Sequence, residues 1–388
     1  MLNKQIYKKL FSESFSLPVE VTYWDGSIER YGLPNTDSVA TIIFNEEIPI
    51  KEVINNASIT FGEAYMNKKI EINGDIQKII ADAYLQQNSF LRSHKYMKFL
   101  PKLAKHTQTQ NKMDIEYHYN LGNDFYRLWL DPTLTYSCAY FKNSEDMLGT
   151  AQLNKIERIL DKLFIKQGNT LLDIGCGWGT LILKAAKEFQ VKATGITLSS
   201  EQYHYIKQRI KEEQLEDKCE VILADYRELK GRKFDHITSV GMIEHVGKDG
   251  LNEYFIKIDQ LLAEKGTALI HGISRQQGGA TNAWLNKYIF PGGYVPGVVE
   301  LVETIATNNL HLIDLESMRR DYQLTLEQWK TNFHGVKKEV VLMKGETFYR
   351  MWDLYLQASA AGFQSSNIDV VQYLIVKPAN NDIPMRRV

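Results

Sequence analysis

Four short stretches of the chain gather residue types that could do chemistry. In YSCAYF (136–141) a cysteine, Cys138, stands among aromatic residues; in LDIGCGWG (172–179) an aspartate, Asp173, precedes three alternating glycines. SVGMIEHVG (239–247) places Glu244 after an apolar run, and TALIHGIS (267–274) does the same for His271. A carboxyl and an imidazole can move protons at a reacting centre, and an acid after so apolar a run is costly unless hydrogen-bonded or paired. Each also has a plainer reading: Glu244 as an acid favoured at a helix start, His271 as a satisfied core histidine. Cys138 is open to four: nucleophile, metal ligand, half of a disulfide, or one wall of a pocket. The three cysteines, Cys138, Cys176 and Cys219, show neither CxxC pairing nor zinc-ligand spacing. No metal site is therefore expected, and each cysteine reads more simply as a small buried hydrophobe.

Gly175, Gly177 and Gly179 stand where a strand, NTLLDIG, turns into a helix, GTLILKAAKEF. Such a turn lets backbone close on a ligand. A dinucleotide fingerprint would need GxGxxG before a free helix start for the pyrophosphate. Here the spacing is GxGxG, and Asp173 would repel a phosphate while favouring a cation. S-adenosylmethionine, with an ammonium and a sulfonium at its methionine end, suits that turn. The second strand ends GITLSSEQ, so Thr197, Ser199 and Gln202 stand where an acid often meets a ribose. Their hydroxyls and amide can bind ribose or amino-acid groups, or simply cap the next helix. Asp225-Tyr226, after the third strand, could meet adenine or form an ordinary loop.

The elements that must position these residues are legible in the spacing. From residue 170 onward, short apolar runs alternate with amphipathic helices, which predicts right-handed βαβ units and a parallel sheet covered on both faces. LHLIDLESMR and QYLIVKP close that sheet after a helical insertion over roughly 280–360. In AQLNKIERILDKLFIKQG, Leu153, Ile156, Leu160 and Leu163 share one helix face. Before it, VEVTYWDGSIERYG alternates around Asp25-Gly26 as a hairpin, TIIFNEE reads as a strand, and SITFGEAYMNKKIEINGD as largely helical. Residues 1–104 are thus expected to form a small α+β domain, 105–112 (KHTQTQNK) a linker, and 113–388 the α/β domain. With 46 basic and 47 acidic residues, no global field favours nucleic acid. No apolar run reaches the roughly 18 residues of a membrane span, and the N-terminal stretch lacks a signal core.

LTYSCAYF, LDIGCGWG, SVGMIEHVG and NKYIFPGGYVP, together with HYNLGNDFYRLWLD, resemble the cyclopropane-fatty-acid synthase family, from about residue 114 into the C-terminal part. Mycolic-acid cyclopropane synthases share the pattern. The resemblance implies a Rossmann-like class I methyltransferase sheet and an enzyme that methylenates the cis double bond of unsaturated acyl chains in membrane phospholipids, with bound bicarbonate as base. It implies donor contacts at Tyr136, Ser137, Asp173, the three glycines, Thr197, Leu198, Ser199, Gln202, Asp225 and Tyr226. It implies a bicarbonate pocket of Cys138, Glu244, His271, Tyr322 and the backbone of Ile273, Tyr322 being located through DYQLTLEQWKTNF. On this reading Cys138 is a neutral wall and weak donor, because a thiolate beside a sulfonium would itself be methylated.

The resemblance further implies a lipid-binding, dimerising N-terminal domain, a homodimer, and a cytoplasmic enzyme peripherally associated with the inner face of the membrane. The basic stretch RSHKYMKFLPKLAKH (92–106) suits anionic headgroups or is a solvated helix end. The nearest rival is an S-adenosylmethionine methyltransferase acting on another lipid or an amine without ring closure. A rival of another class is a non-catalytic lipid carrier with a vestigial nucleotide fold.

Overall fold

The structure, a computed structural model, describes residues 2–34, 36–92, 121–378 and 380–384. The expected linker and nearly all of the basic stretch lie outside the described residues. No helix among the described residues is long and apolar enough to cross a membrane. Two compact units divide the chain.

The first unit contains a four-stranded sheet of order β2-β1-β3-β4. β1 (Val19–Thr22) and β2 (Ile28–Tyr31) form the antiparallel hairpin read from the sequence, with Gly26 at positive φ in its turn. β3 (Ala40–Phe44) runs parallel to β1 and antiparallel to β4 (Ile70–Gly74). IEING is therefore a strand where the sequence spacing predicts helix; the helix before it stops at Met66. Tyr7, Phe11 and Phe15 from the helix Leu2–Ser12 and its exit pack on Val19, Val21 and Phe44.

The unit also takes in Thr281–Pro291 and Leu326–Ile368, which the sequence reading assigned to the α/β domain. Polar contacts explain the difference. Arg350, on the helix Glu346–Gln364, donates to the carbonyls of Tyr65 (2.6 Å) and Ile70 (3.2 Å) and pairs with Glu71 at 2.9 Å. One turn on, Asp353 accepts from Tyr65 Oη at 2.9 Å and lies 2.6 Å from His334 Nε2.

The second unit is built on a seven-stranded sheet of order β12-β13-β9-β8-β5-β6-β7. β5 (Thr170–Ile174), β6 (Lys192–Thr197), β7 (Cys219–Leu223), β8 (Phe234–Val240) and β9 (Leu262–Ser274) are parallel. A two-residue ribbon, β10 (Gly279–Ala280) with β11 (Tyr294–Val295), follows. β12 (His311–Ser317) and β13 (Asp369–Val376) then close the edge, β13 antiparallel to both its neighbours. Apolar residues of β5, β8 and β9 are almost wholly buried between helices on the two faces. The strand order reverses between β5 and β8, and ligands of open α/β sheets bind at the carboxyl ends beside such a reversal.

Arg350→Ala is expected to destabilise the first unit by about 2–4 kcal/mol, because two carbonyls lose their donor inside the fold. Urea unfolding followed by tryptophan fluorescence measures this, and an unmoved midpoint would show that apolar packing alone holds the helix.

Candidate active site

At the β5–β8 reversal lies a cavity of about 150 Å³. Asp173, the fourth residue of β5, reaches it while only 3% exposed, and Thr238 on β8 donates to its Oδ1 at 2.8 Å. Burial pushes its carboxyl up to about 6, against the opposing pull of Thr238 and Lys155. Gly175, Gly177 and Gly179 all take positive φ, and a Cβ on Gly175 would sit 2.9 Å from Met242 Cγ. The amides of Gly175 and Cys176 both donate to Ile196 O, which pins the turn to β6. Gly179 starts the helix Thr180–Glu188 and, like Ser199, does not line the cavity, whereas Gly175 and Gly177 do.

Tyr136, Ser137, Thr197, Leu198, Gln202, Asp225 and Tyr226 also line the cavity, as their expected donor contacts require. Their side chains differ in how free they are. Thr197 Oγ1 donates to Gln202 Oε1 at 2.8 Å, and Ser199 caps the helix Ser200–Glu212 by accepting from Gln202 N. The capping reading thus holds for Ser199. Asp225 is gripped in a fork by Arg227 Nε and Nη2, at 2.9 and 2.6 Å. Tyr136 stands against Tyr126 and Trp129, ring centroids 5.4 and 5.6 Å apart, and gives the cavity an aromatic side.

The second expected cluster forms at the ends of β8 and β9. Glu244 lies on the short turn Ile243–His245 after β8, and its Oε1 accepts from Ile273 N at 2.6 Å. A side chain at Gly272 would put Cβ 2.3 Å from Ile243 Cγ2, so the close approach of turn and strand depends on that glycine. His271 is 1% exposed, and its Nδ1 meets Gln372 Nε2, on β13, at 3.2 Å. Burial pushes Glu244 up to about 7 and His271 down to about 3.

Cys138 is fully enclosed, its Sγ 3.2 Å from Ala139 O and 3.9 Å from Met318 O; Tyr322 N donates to the same Met318 carbonyl. Met318 N in turn bonds Val370 O, and Val370 faces Ile273 in the β13–β9 ladder. The five residues therefore converge on one end of the sheet. Among the described residues, Glu244 Oε2, His271 Nε2 and Gln372 Oε1 are buried there without a hydrogen-bond partner.

Sequence reasoning missed Gln372, Thr238, Arg227 and Lys155, the last of which lines the cavity and donates to Ser137 Oγ at 2.8 Å. It also placed Leu153 on the buried face, whereas Leu153 is 38% exposed. The stripe that turns inward includes Leu148, Gln152, Lys155 and Ile159, at helical spacing. Polar residues, Gln152, Lys155 and Lys162, recurring at helical spacing with Leu148 and Ile159 were the available signal.

The family model for mycolic acid cyclopropane synthetase matches residues 106–373, and a model described as a domain of unknown function matches residues 6–95. The chain belongs to the mycolic acid cyclopropane synthetase family. It is accordingly an S-adenosylmethionine-dependent methyltransferase, and its sheet is that of a class I methyltransferase. A probable fatty acid methyltransferase of Pseudomonas putida is 34% identical, over 97% of this chain and 96% of its own. The cyclopropane-fatty-acyl-phospholipid synthase of Escherichia coli is 37% identical, over 70% of this chain and 69% of its own. Among solved structures, the mycolic acid cyclopropane synthase CmaA1 with SAH and CTAB superposes with a TM-score of 0.65 at 31% identity, over 69% of this chain and 98% of that one.

Two measurements probe the site of this family member. Burial lifts the thiols of Cys138 and Cys176 well above their ordinary range and that of Cys219 to about 12. Iodoacetamide at neutral pH is thus expected to leave all three unlabelled in the folded protein, as mass spectrometry would show; rapid labelling of Cys138 with loss of activity would restore the nucleophile reading.

Glu244 is protonated more readily in the fold than in the unfolded chain. Its contribution to stability is full below about pH 4.5 and lost as pH rises to about 7. Glu244→Gln, which cannot ionise, should therefore gain several degrees of melting temperature on the wild type across that window. A constant gap would mean that Glu244 is not desolvated.

Proposed function

We propose that the protein is a cyclopropane-fatty-acyl-phospholipid synthase, transferring a methylene from S-adenosylmethionine to the cis double bond of an unsaturated acyl chain in a membrane phospholipid. The observation that carries the reading is the set of buried polar atoms left unpartnered at one end of the sheet, foremost Glu244 Oε2 and His271 Nε2. Unpaired buried polar atoms are costly, and these lie among the residues that fit a small oxyanion. The family match and the Escherichia coli relative support the lipid chemistry.

An alkene is a weak nucleophile, so the donor methyl must be held close and in line with it. As the S–C bond breaks, the carbon joins one alkene carbon, the sulfonium becomes a neutral thioether, and positive charge passes to the other alkene carbon. Loss of a proton from the new methyl lets its C–H electron pair close the ring. Bicarbonate, when bound, supplies the base for that proton.

The residues that would hold the bicarbonate are Glu244, His271, Cys138, Tyr322 and the Ile273 backbone. Ile273 N–H fixes Glu244 Oε1, which leaves Oε2 free; with burial lifting the carboxyl to about 7, its acid form can donate at neutral pH. His271 stays uncharged, and with Gln372 donating to Nδ1 its Nε2 carries the proton. The ring of Tyr136, which lines the cavity, suits a nearby sulfonium, such a cation–π contact being worth about 0.5–2 kcal/mol.

The end-to-end match to a probable fatty acid methyltransferase favours a second reading, methylation of the chain without ring closure. Incubation with S-adenosylmethionine and vesicles of monounsaturated phospholipid separates the two by proton NMR of the product. Ring closure replaces the olefinic signals with upfield cyclopropane signals, whereas a product that keeps olefinic protons would favour the second reading; absence of transfer to lipid would defeat both. Glu244→Leu, which removes the hydrogen-bond donor that a glutamine would keep, is expected to lower turnover by about 10²–10⁴ while affinity for the methyl donor stays nearly unchanged. Equal losses in both would move Glu244 into the donor site.

A further inference from the structure

Lys155, on the helix Leu148–Lys162, is 2% exposed and lines the same cavity as Asp173. An ammonium carries three donors, yet among the described residues Ser137 Oγ is the only hydrogen-bond partner of Lys155 Nζ, at 2.8 Å. Other buried lysines of this unit show what a satisfied one looks like. Lys162, 6% exposed, meets Asp314 at 3.2 Å and also Glu316; Lys377, 5% exposed, meets Asp259 at 2.8 Å. Lys257, 8% exposed, lacks a contact of that kind but has Asp225 and Glu253 among its electrostatic neighbours. Among the titratable groups around Lys155 are Asp131, Asp173, Cys138 and His271. None of these forms an ion pair with it, and Asp173 takes its hydrogen bond from Thr238 instead.

The cavity therefore holds a carboxylate and an ammonium that do not pair with each other. A buried charge without a counter-charge is unfavourable, and burial pulls the Lys155 ammonium down to about 8. A site of this kind complements a ligand that carries both signs.

We infer that Lys155 is an anion-binding cation of this cavity, fixing a carboxylate-type oxyanion between its Nζ and the Ser137 hydroxyl. Two oxyanions of that chemistry belong to the reaction: the α-carboxylate at the methionine end of the donor, whose ammonium suits Asp173, and bicarbonate. Lys155 lines the donor cavity and has Cys138 and His271 as electrostatic neighbours, so it stands between that cavity and the cluster at Glu244. The inference rests on the methyl-donor reading of the cavity and adds to it a residue that reads the donor's charge.

The test is titration calorimetry of the full chain with S-adenosylhomocysteine and with 5′-methylthioadenosine, which keeps the nucleoside thioether but lacks the amino-acid end. Lys155→Met is expected to weaken S-adenosylhomocysteine by about thirtyfold or more while 5′-methylthioadenosine changes by less than about threefold, and Lys155→Arg should recover part of the loss. If both nucleosides bind Lys155→Met as they bind the wild type, while the bicarbonate needed for half-maximal turnover rises by a similar factor, the oxyanion is bicarbonate. Equal losses for both nucleosides, or no change in any of these quantities, would overturn the inference and leave Lys155 a structural residue. Should the methionine variant not fold, Lys155→Gln, which keeps a donor toward Ser137, carries the same comparison. Failure of the wild type to bind S-adenosylhomocysteine would instead count against the donor reading itself.

Discussion

Asp173 is held out of water at the end of β5, with strands on both sides and one hydroxyl, that of Thr238, as its hydrogen-bond partner. A carboxyl so placed resists ionisation, and a cation arriving in the cavity reverses that resistance. The cavity's preference for a positively charged methyl donor is thus stored in the burial of one side chain. The surroundings serve that burial. The sheet reverses its strand order beside β5, which opens the crevice, and the glycine turn keeps the backbone low enough for Met242 to pack against it without blocking the space. A larger residue at Gly175 would meet Met242 before it met a ligand.

The segment 136–139 joins this charged cavity to the cluster at the ends of β8 and β9. Tyr136 and Ser137 line the cavity, Cys138 points its sulfur toward Met318 O, and Ala139 N donates to Thr325 Oγ1 at 3.0 Å. Gln152, from the same helix as Lys155, donates to Ser137 O at 2.9 Å and holds the segment from the other side. One short piece of chain therefore sets the spacing between the place that suits a donor and the place that suits a base. In the proposed reaction both must address the same carbon in succession, so a fixed spacing matters more than it would in a simple methyl transfer.

Much of this was legible in the sequence because it is local. The GxGxG turn, the alternation of strand and helix, and the apolar runs before Glu244 and His271 are read within a dozen residues, and the sheet places them where that reading puts them. What escaped is long-range. Gln372 reaches His271 only because β13 lies antiparallel to β9 about a hundred residues later in the chain. The helix Glu346–Gln364 joins the first unit through contacts with Tyr65, Ile70 and Glu71 that no periodicity announces. Ile156, Leu160 and Leu163 of the sequence stripe are buried, but its first member, Leu153, turns outward and draws the stripe away from Lys155, which is buried beside Ile156.

On the proposed reaction, a sulfonium methyl must meet the alkene and nothing else. Cys138, Glu244 and His271, each able to compete for it, are kept from doing so by burial or by a particular contact. Cys138 remains a thiol because burial, reinforced by Asp321, opposes the thiolate. Glu244 has one oxygen committed to the Ile273 amide and is half protonated near neutrality, which blunts it as a nucleophile. His271 would be the most dangerous, since a neutral imidazole alkylates readily at its unprotonated nitrogen. Gln372 takes that nitrogen, Nδ1, out of play and leaves an N–H facing inward. The same amide that selects a donor for an oxyanion thus also withdraws a lone pair from the path of the methyl group, so positioning the base and protecting the enzyme from its own donor become one requirement.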